Sequence, residues 1–132
     1  MSERPEPKWF PAEAVELLQA HLLELFGGSS GLRDAGGLES ALERPKNLFT
    51  YGEPTLFELA TAYASGIIRN HPFVDGNKRL GLAIALTFLE TNGYLTQLGE
   101  AEAVVMTLGL ASREVDEAGY AKWLEDNCVR QT

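Results

Sequence analysis

The sequence predicts an all-α protein, a bundle of about six helices around a buried central helix, and three observations predict it. Apolar residues recur at helical spacing in successive segments. One segment, Leu80–Leu89, is apolar nearly all round, as a helix enclosed by others is. Strand signal is nearly absent. The chain has 132 residues, 45% hydrophobic and 23% charged, too few for two cores and too apolar for disorder. A single domain over 1–132 is therefore expected. At this length folding hides roughly two-thirds of the unfolded chain's surface, so the core needs no disulfide or metal staple.

The first helix starts at Pro11, where a missing N–H does no harm, and runs to Phe26 with Ala14, Val15, Leu18, Leu22, Leu25 and Phe26 on its apolar side. Gly27-Gly28 ends it. A loop rich in Gly and Ser reaches Gly37, and a short helix from Leu38 is expected to stop before Pro45. Thr55, with Glu58 three residues on, caps a helix reaching about Asn70 that buries Leu56, Leu59, Ala60, Tyr63, Ala64 and Ile67. His71–Arg79 is a turn-rich bridge into Leu80–Leu89, which Asn92-Gly93 stops. Glu100–Ala111 and Asp116–Cys128 are two closing helices, the second with Tyr120, Trp123, Leu124 and Cys128 on one stripe. Tyr94–Thr96 is either an extended piece or nothing regular.

Composition narrows the function. Eleven Lys and Arg against 19 Asp and Glu give a net charge of −8, which opposes a nonspecific grip on a polyphosphate backbone, so no direct nucleic-acid binding is expected. The one cysteine, Cys128, has no partner in the chain, which points to a reducing cytoplasm and away from a disulfide scaffold or a cysteine-built zinc site. Met1–Pro11 carries charges and three prolines in place of the apolar stretch of a signal peptide. Leu80–Leu89 is half the roughly 20 residues a bilayer requires, so no membrane span is expected.

One segment defies local physics. The positive end of a helix normally attracts acidic residues, yet the most apolar helix opens with Lys78-Arg79. Two cations belong there if an anion sits between them, and Gly76-Asn77 can aim backbone N–H groups at it. The result is a cradle suited to a di- or triphosphate. His71, ahead of it, is the side-chain type whose titration lies nearest neutral pH and so the best suited to take a proton from a hydroxyl. Asp75 is a hard oxygen ligand, and one carboxylate plus phosphate oxygens is the usual way Mg²⁺ is held. Phe73 is placed to pin the loop into the core. Base, metal carboxylate and phosphate nest thus fall together, the minimum kit for attack of a hydroxyl on a nucleotide phosphate.

Taken singly, each residue has a plainer reading. His71 ends a helix, Asp75-Gly76 makes a turn, Asn77 caps, and Lys78-Arg79 is a solvated pair. None of these explains why all sit at the mouth of one apolar helix. Other kits are absent: no G-x-x-x-x-G-K-[ST] loop, no H-R-D or D-F-G triplet, no H-E-x-x-H and no G-x-S-x-G. His21 reads as a surface or boundary histidine, Tyr120 and Trp123 as core, and the acidic stretches Glu100–Glu102 and Glu114–Glu117 as solvated helix ends.

The run His71-Pro-Phe-Val-Asp-Gly-Asn-Lys-Arg79 resembles the Fic/Doc signature, H-x-F-x-[DE]-[GA]-N-x-R, in the form with Lys before Arg that marks the Doc branch. Gly31-Leu-Arg-Asp-Ala-Gly-Gly-Leu-Glu-Ser-Ala-Leu-Glu-Arg-Pro45 is similar to the upstream segment of that branch. The resemblance implies the toxin of a type II toxin–antitoxin pair, a helical Fic/Doc-type fold, and transfer of the γ-phosphate of ATP, with Mg²⁺, to a threonine of elongation factor Tu, which stalls translation. It assigns His71 as general base, Asp75 as Mg²⁺ ligand, Gly76 and Asn77 as holders of phosphate oxygens, Lys78 and Arg79 as neutralising cations, and Phe73 as anchor. Arg33, Asp34 and Arg44 are taken as organising the loop.

Family members that transfer AMP carry Gly-Asn-Gly-Arg and a further arginine, where this chain has Lys78 and Leu82. AMP transfer is the alternative, and a non-catalytic antitoxin-binding relic is a third reading. The self-inhibitory [ST]-x-x-x-E-[GN] motif of many Fic proteins is matched only up to its last residue by Thr96–Ala101. Control is therefore expected from a separate Phd-like antitoxin.

Overall fold

The computed structural model describes residues 4–131; the first three residues of the Met1–Pro11 segment lie outside them. Along the chain run α1 (Ala12–Phe26), α2 (Ala35–Tyr51), α3 (Leu56–Asn70), α4 (Asn77–Thr91), β1 (Tyr94–Thr96), α5 (Glu100–Ser112), α6 (Glu117–Asp126) and β2 (Cys128–Arg130). The all-α bundle expected from periodicity is the fold.

The centre is a pair of helices. α4 buries Leu80, Gly81, Ile84, Ala85, Phe88 and Leu89, and α3 is buried without a break from Leu59 to Ile67. α3 packs against α2, α4 and α6, which explains a burial that wraps beyond one stripe. Two glycines let the backbones close. A Cβ on Gly81 would stand 3.0 Å from the Ala64 carbonyl oxygen, and one on Gly66 3.1 Å from the Ala41 Cβ. α3 starts as its sequence dictates: Thr55 Oγ1 accepts from the Glu58 N–H at 3.1 Å, and the Glu58 carboxylate accepts from the Thr55 N–H at 2.8 Å. Such a reciprocal cap fixes where the helix begins and hence where it ends, at the bridge carrying His71.

Four expectations are corrected. The second helix starts at Ala35, because Asp34 caps it by accepting from the Gly37 N–H at 2.9 Å, and it continues through Pro45 to Tyr51. A proline inside a helix costs about 3 kcal/mol. Burial of Ala41 and Pro45, and the edge-on packing of Phe49 against Trp9 with ring centres 5.8 Å apart, offset that cost. The central helix starts at Asn77, so Lys78 and Arg79 lie inside its first turn. The last helix ends at Asp126; Cys128 lies instead in β2, which pairs antiparallel with β1 and gives Tyr94–Thr96 its extended form. Leu25 and Phe26, expected on the buried side of α1, are 61% and 58% exposed. His21 is exposed, and no helix among the described residues is long and apolar enough to cross a membrane.

Candidate active site

α3 ends on His71, whose N–H donates to the Ile67 carbonyl at 3.1 Å and whose backbone is left-handed, φ 49° and ψ 55°. A side chain with a Cβ is disfavoured there by about 1–2 kcal/mol, so neighbours must hold it. Arg33 does so: its Nε donates to the His71 carbonyl at 2.7 Å and a terminal nitrogen to the Asn70 carbonyl at 3.0 Å. The Asn70 side chain in turn donates to the Gly37 carbonyl at 2.9 Å. The N–H groups of Arg33 and Asp34 both donate to the Pro72 carbonyl, that of Val74 to the Gly31 carbonyl, and Leu32 pairs with Phe73 as an antiparallel bridge. The Gly31–Asp34 strip is thereby stitched to the His71–Val74 bridge. Arg33 and Asp34 organise the loop as expected; Arg44 does not, being inside α2 and paired with Glu117 at 2.8 Å.

Phe73 is 3% exposed and anchors the bridge in the core. Asn77 is buried as well. Its Oδ1 accepts from the Phe73 N–H at 3.0 Å and its Nδ2 donates to the Phe73 carbonyl at 2.9 Å, closing the loop into a ring. Oδ1 and one Nδ2 hydrogen are thus committed to the loop. The backbone N–H groups of Asn77, Lys78 and Arg79 have no acceptor among the described residues, and the cap position, Gly76, lacks a side chain to supply one. This open helix end leaves donors where the sequence leads one to expect an anion.

His71, Asp75, Gly76, Asn77, Lys78 and Arg79 line one cleft of about 410 Å³, with Ile68 and Ala111 as its apolar side. His71, Asp75, Lys78 and Arg79 are all exposed, and neither cation forms an ion pair among the described residues. The Arg79 guanidinium lies 4.3 Å over the exposed Phe26 ring. Asp75 Oδ1 accepts from the Gly76 N–H at 2.9 Å, and Oδ2 accepts a long bond of 3.3 Å from the Ser29 N–H. The Gly76 N–H is therefore occupied by the neighbouring carboxylate. Gly76 itself is left-handed, φ 78°.

Glu100, in the match to the self-inhibitory motif, begins α5, while Ala111 of the cleft lies at the other end of that helix, roughly 16 Å along its axis. Sequence reasoning missed Gln19 of α1, whose Nε2 donates to the Asp75 carbonyl at 2.8 Å. A glutamine inside an otherwise apolar stripe was the signal that could have found it. It also took Glu117 and Glu102 for solvated ends; Glu117 accepts from Arg44, Arg69 and Ser65, and Glu102 from the Trp123 indole at 2.7 Å.

Comparison with known proteins finds one family. The sequence model described as the Fic/DOC family matches residues 9–89, which include the whole His71–Arg79 run and the Gly31–Pro45 segment. The protein of Escherichia phage P1 named "Protein kinase doc" is 34% identical over 115 residues, covering 86% of this chain and 90% of the relative. The "Toxin Doc" of Mycolicibacterium smegmatis is 45% identical over 71 residues, covering 52% of this chain and 54% of that protein.

Proposed function

The chain belongs to the Fic/DOC family, and from that premise we propose that it is a Doc-type toxin acting as a protein kinase. It transfers the γ-phosphate of ATP to a threonine hydroxyl of elongation factor Tu and so inhibits translation. One observation carries the chemistry: His71 and Asp75 share a single cleft with the unpaired Lys78 and Arg79 and the open N-terminus of α4.

The His71 imidazole accepts the proton of the incoming hydroxyl as its oxygen attacks the γ-phosphorus, and the bond from that phosphorus to the bridging oxygen breaks, releasing ADP. Lys78, Arg79 and the free N–H groups at the start of α4 bind the phosphate oxygens, where they are stronger against the spread charge of the transition state. Among the described residues no three His, Cys, Asp or Glu side chains come together. Asp75 is thus a lone carboxylate beside a phosphate cradle, a donor set that fits a nucleotide-borne Mg²⁺. Mg²⁺ when bound offsets phosphate charge; Asp75 would hold it, and in turning to do so frees the Gly76 N–H for the nucleotide.

A Phd-like antitoxin is the proposed partner. The toxin name of the mycobacterial relative supports it, as do the exposed apolar side chains Val104, Val105 and Leu108 on α5, which a partner would cover.

Purified protein, bacterial extract and ATP labelled at the α or the γ position test the reaction. Label entering a protein of the extract from the γ position only is expected. Transfer from the α position only would replace the kinase with an AMP transferase. Equal growth arrest by the wild type and a His71→Ala variant would instead favour a non-catalytic relic.

A further inference from the structure

Gln19 stands where the packing of α1 has no use for it. It follows Leu18 on the inner side of the helix, four residues after the fully buried Val15 and three before the half-buried Leu22, and is itself 4% exposed. A leucine there would extend the apolar stripe. Instead a primary amide is buried, and its Oε1 has no hydrogen-bond partner among the described residues. The amide's orientation is set by chemistry: exchanging its two ends would turn an acceptor toward the Asp75 carbonyl. Leaving a buried acceptor unpaired destabilises the fold, so the position needs a reason other than stability.

The reason lies above it. Gln19 Nε2 donates to the Asp75 carbonyl at 2.8 Å, and a Cβ on Gly76 would lie 3.4 Å from that nitrogen and 3.7 Å from Oε1. The amide therefore touches the peptide that joins the carboxylate-bearing residue to the glycine opening α4. We infer that Gln19 is a positioning residue that pins the Asp75–Gly76 peptide from beneath, so that the Asp75 carboxylate and the first N–H groups of α4 face the cleft together. This rests on the kinase reading for what the cleft does, but the pin itself is a property of the ligand-free protein. α1 then serves the site in three ways: Gln19 fixes the loop's backbone, Phe26 carries the Arg79 guanidinium, and the turn after the helix lays the Ser29 N–H on Asp75.

Gln19→Met keeps the length of the side chain and replaces its amide with a thioether; Gln19→Leu removes the polar atoms with a shorter, branched shape. Both are expected to keep or raise the melting temperature while the Gly76 amide, bonded to Asp75, and the Leu80 amide, bonded to the Gly76 carbonyl, exchange with solvent faster, all measured without nucleotide. Phosphate transfer should fall about 10–100-fold, with a higher Mg²⁺ concentration for half-maximal rate. Unchanged amide exchange in both variants, or unchanged transfer, would overturn the assignment. So would a loss of melting temperature in both, which marks a merely structural role. If the wild type transfers no label, the kinase reading fails separately, and the exchange and melting measurements still decide the role of Gln19.

Discussion

The Arg33 guanidinium donates to the carbonyl oxygens of His71 and Asn70 at 2.7 and 3.0 Å, and so grips the residue that ends α3 in a left-handed turn. Two carbonyls at the negative end of a helix are bridged by one planar fork, a geometry that lysine's point charge cannot copy. Arg33→Lys should therefore fold but hold His71 loosely. A shift of about 1 Å in a reacting group costs on the order of 100-fold in rate. The expected loss is in kcat, with KM for ATP near wild type, because the proposed phosphate cradle is on α4. Steady-state kinetics check this, and a change in KM alone would show that Arg33 serves the nucleotide rather than the base.

What could be read in advance follows the range of each interaction. The cap of α3 involves Thr55 and Glu58, three residues apart, and the loop of the site spans His71 to Arg79, so both were visible in the sequence. The pairing of Thr96 with Cys128 and the bond from Gln19 to Asp75 join positions 32 and 56 residues apart, and no local pattern encodes them. Pro45 misled for the same reason: its local effect is to stop a helix, and only burial between α2 and its neighbours, absent from any short window, outweighs it. The bonds of the Asn77 side chain to the Phe73 backbone were not legible either, because that backbone becomes an available partner only once the loop has closed.

Arg79 has no carboxylate partner among the described residues and rests on Phe26. Its charge is thus not neutralised by a carboxylate, as the proposed role at the phosphates requires. Arg79→Ala should lower transfer by about 100–1,000-fold, the cost of losing one donor aimed at transition-state charge. Phe26→Leu removes only the ring beneath the guanidinium, a contact worth about 0.5–1 kcal/mol at an exposed site, and should raise KM for ATP roughly two- to fivefold. Retained transfer in Arg79→Ala would show that the cradle is misassigned.

Glu117, at the start of α6, receives Arg44 from α2 at 2.8 Å, Arg69 from α3 at 2.7 Å and the Ser65 hydroxyl at 3.2 Å. A single exposed pair contributes little, but these groups are only about one-third exposed and share one acceptor that ties three helices. Glu117→Ala should cost about 1–3 kcal/mol and Glu117→Gln less, read from urea midpoints at constant slope. High salt should narrow the gap between wild type and Glu117→Ala. A gap insensitive to salt would assign the loss to packing alone.

Tyr120 is fully buried, stacked edge-on against Trp123 at 5.1 Å, with its hydroxyl 2.9 Å from Thr107 Oγ1. Burial pushes its phenol up to about 12, and the Thr107 bond offsets part of the rise. An unfolded tyrosine titrates near pH ~10. Below that both states keep the proton and Tyr120 adds no pH dependence. Above it the unfolded chain ionises first and binds fewer protons than the native one, so stability falls by up to about 1.4 kcal/mol per pH unit until the native phenol titrates as well. Tyr120→Phe removes this slope. At neutral pH the variant should be less stable by about 1 kcal/mol, since Thr107 loses its buried partner. The two stability curves should therefore meet near pH ~11, where one unit of the alkaline slope cancels the worth of the hydrogen bond. Urea unfolding of both proteins across the alkaline range measures the difference directly. A difference that stays flat past pH ~11 would mean that water reaches the phenol in the folded protein.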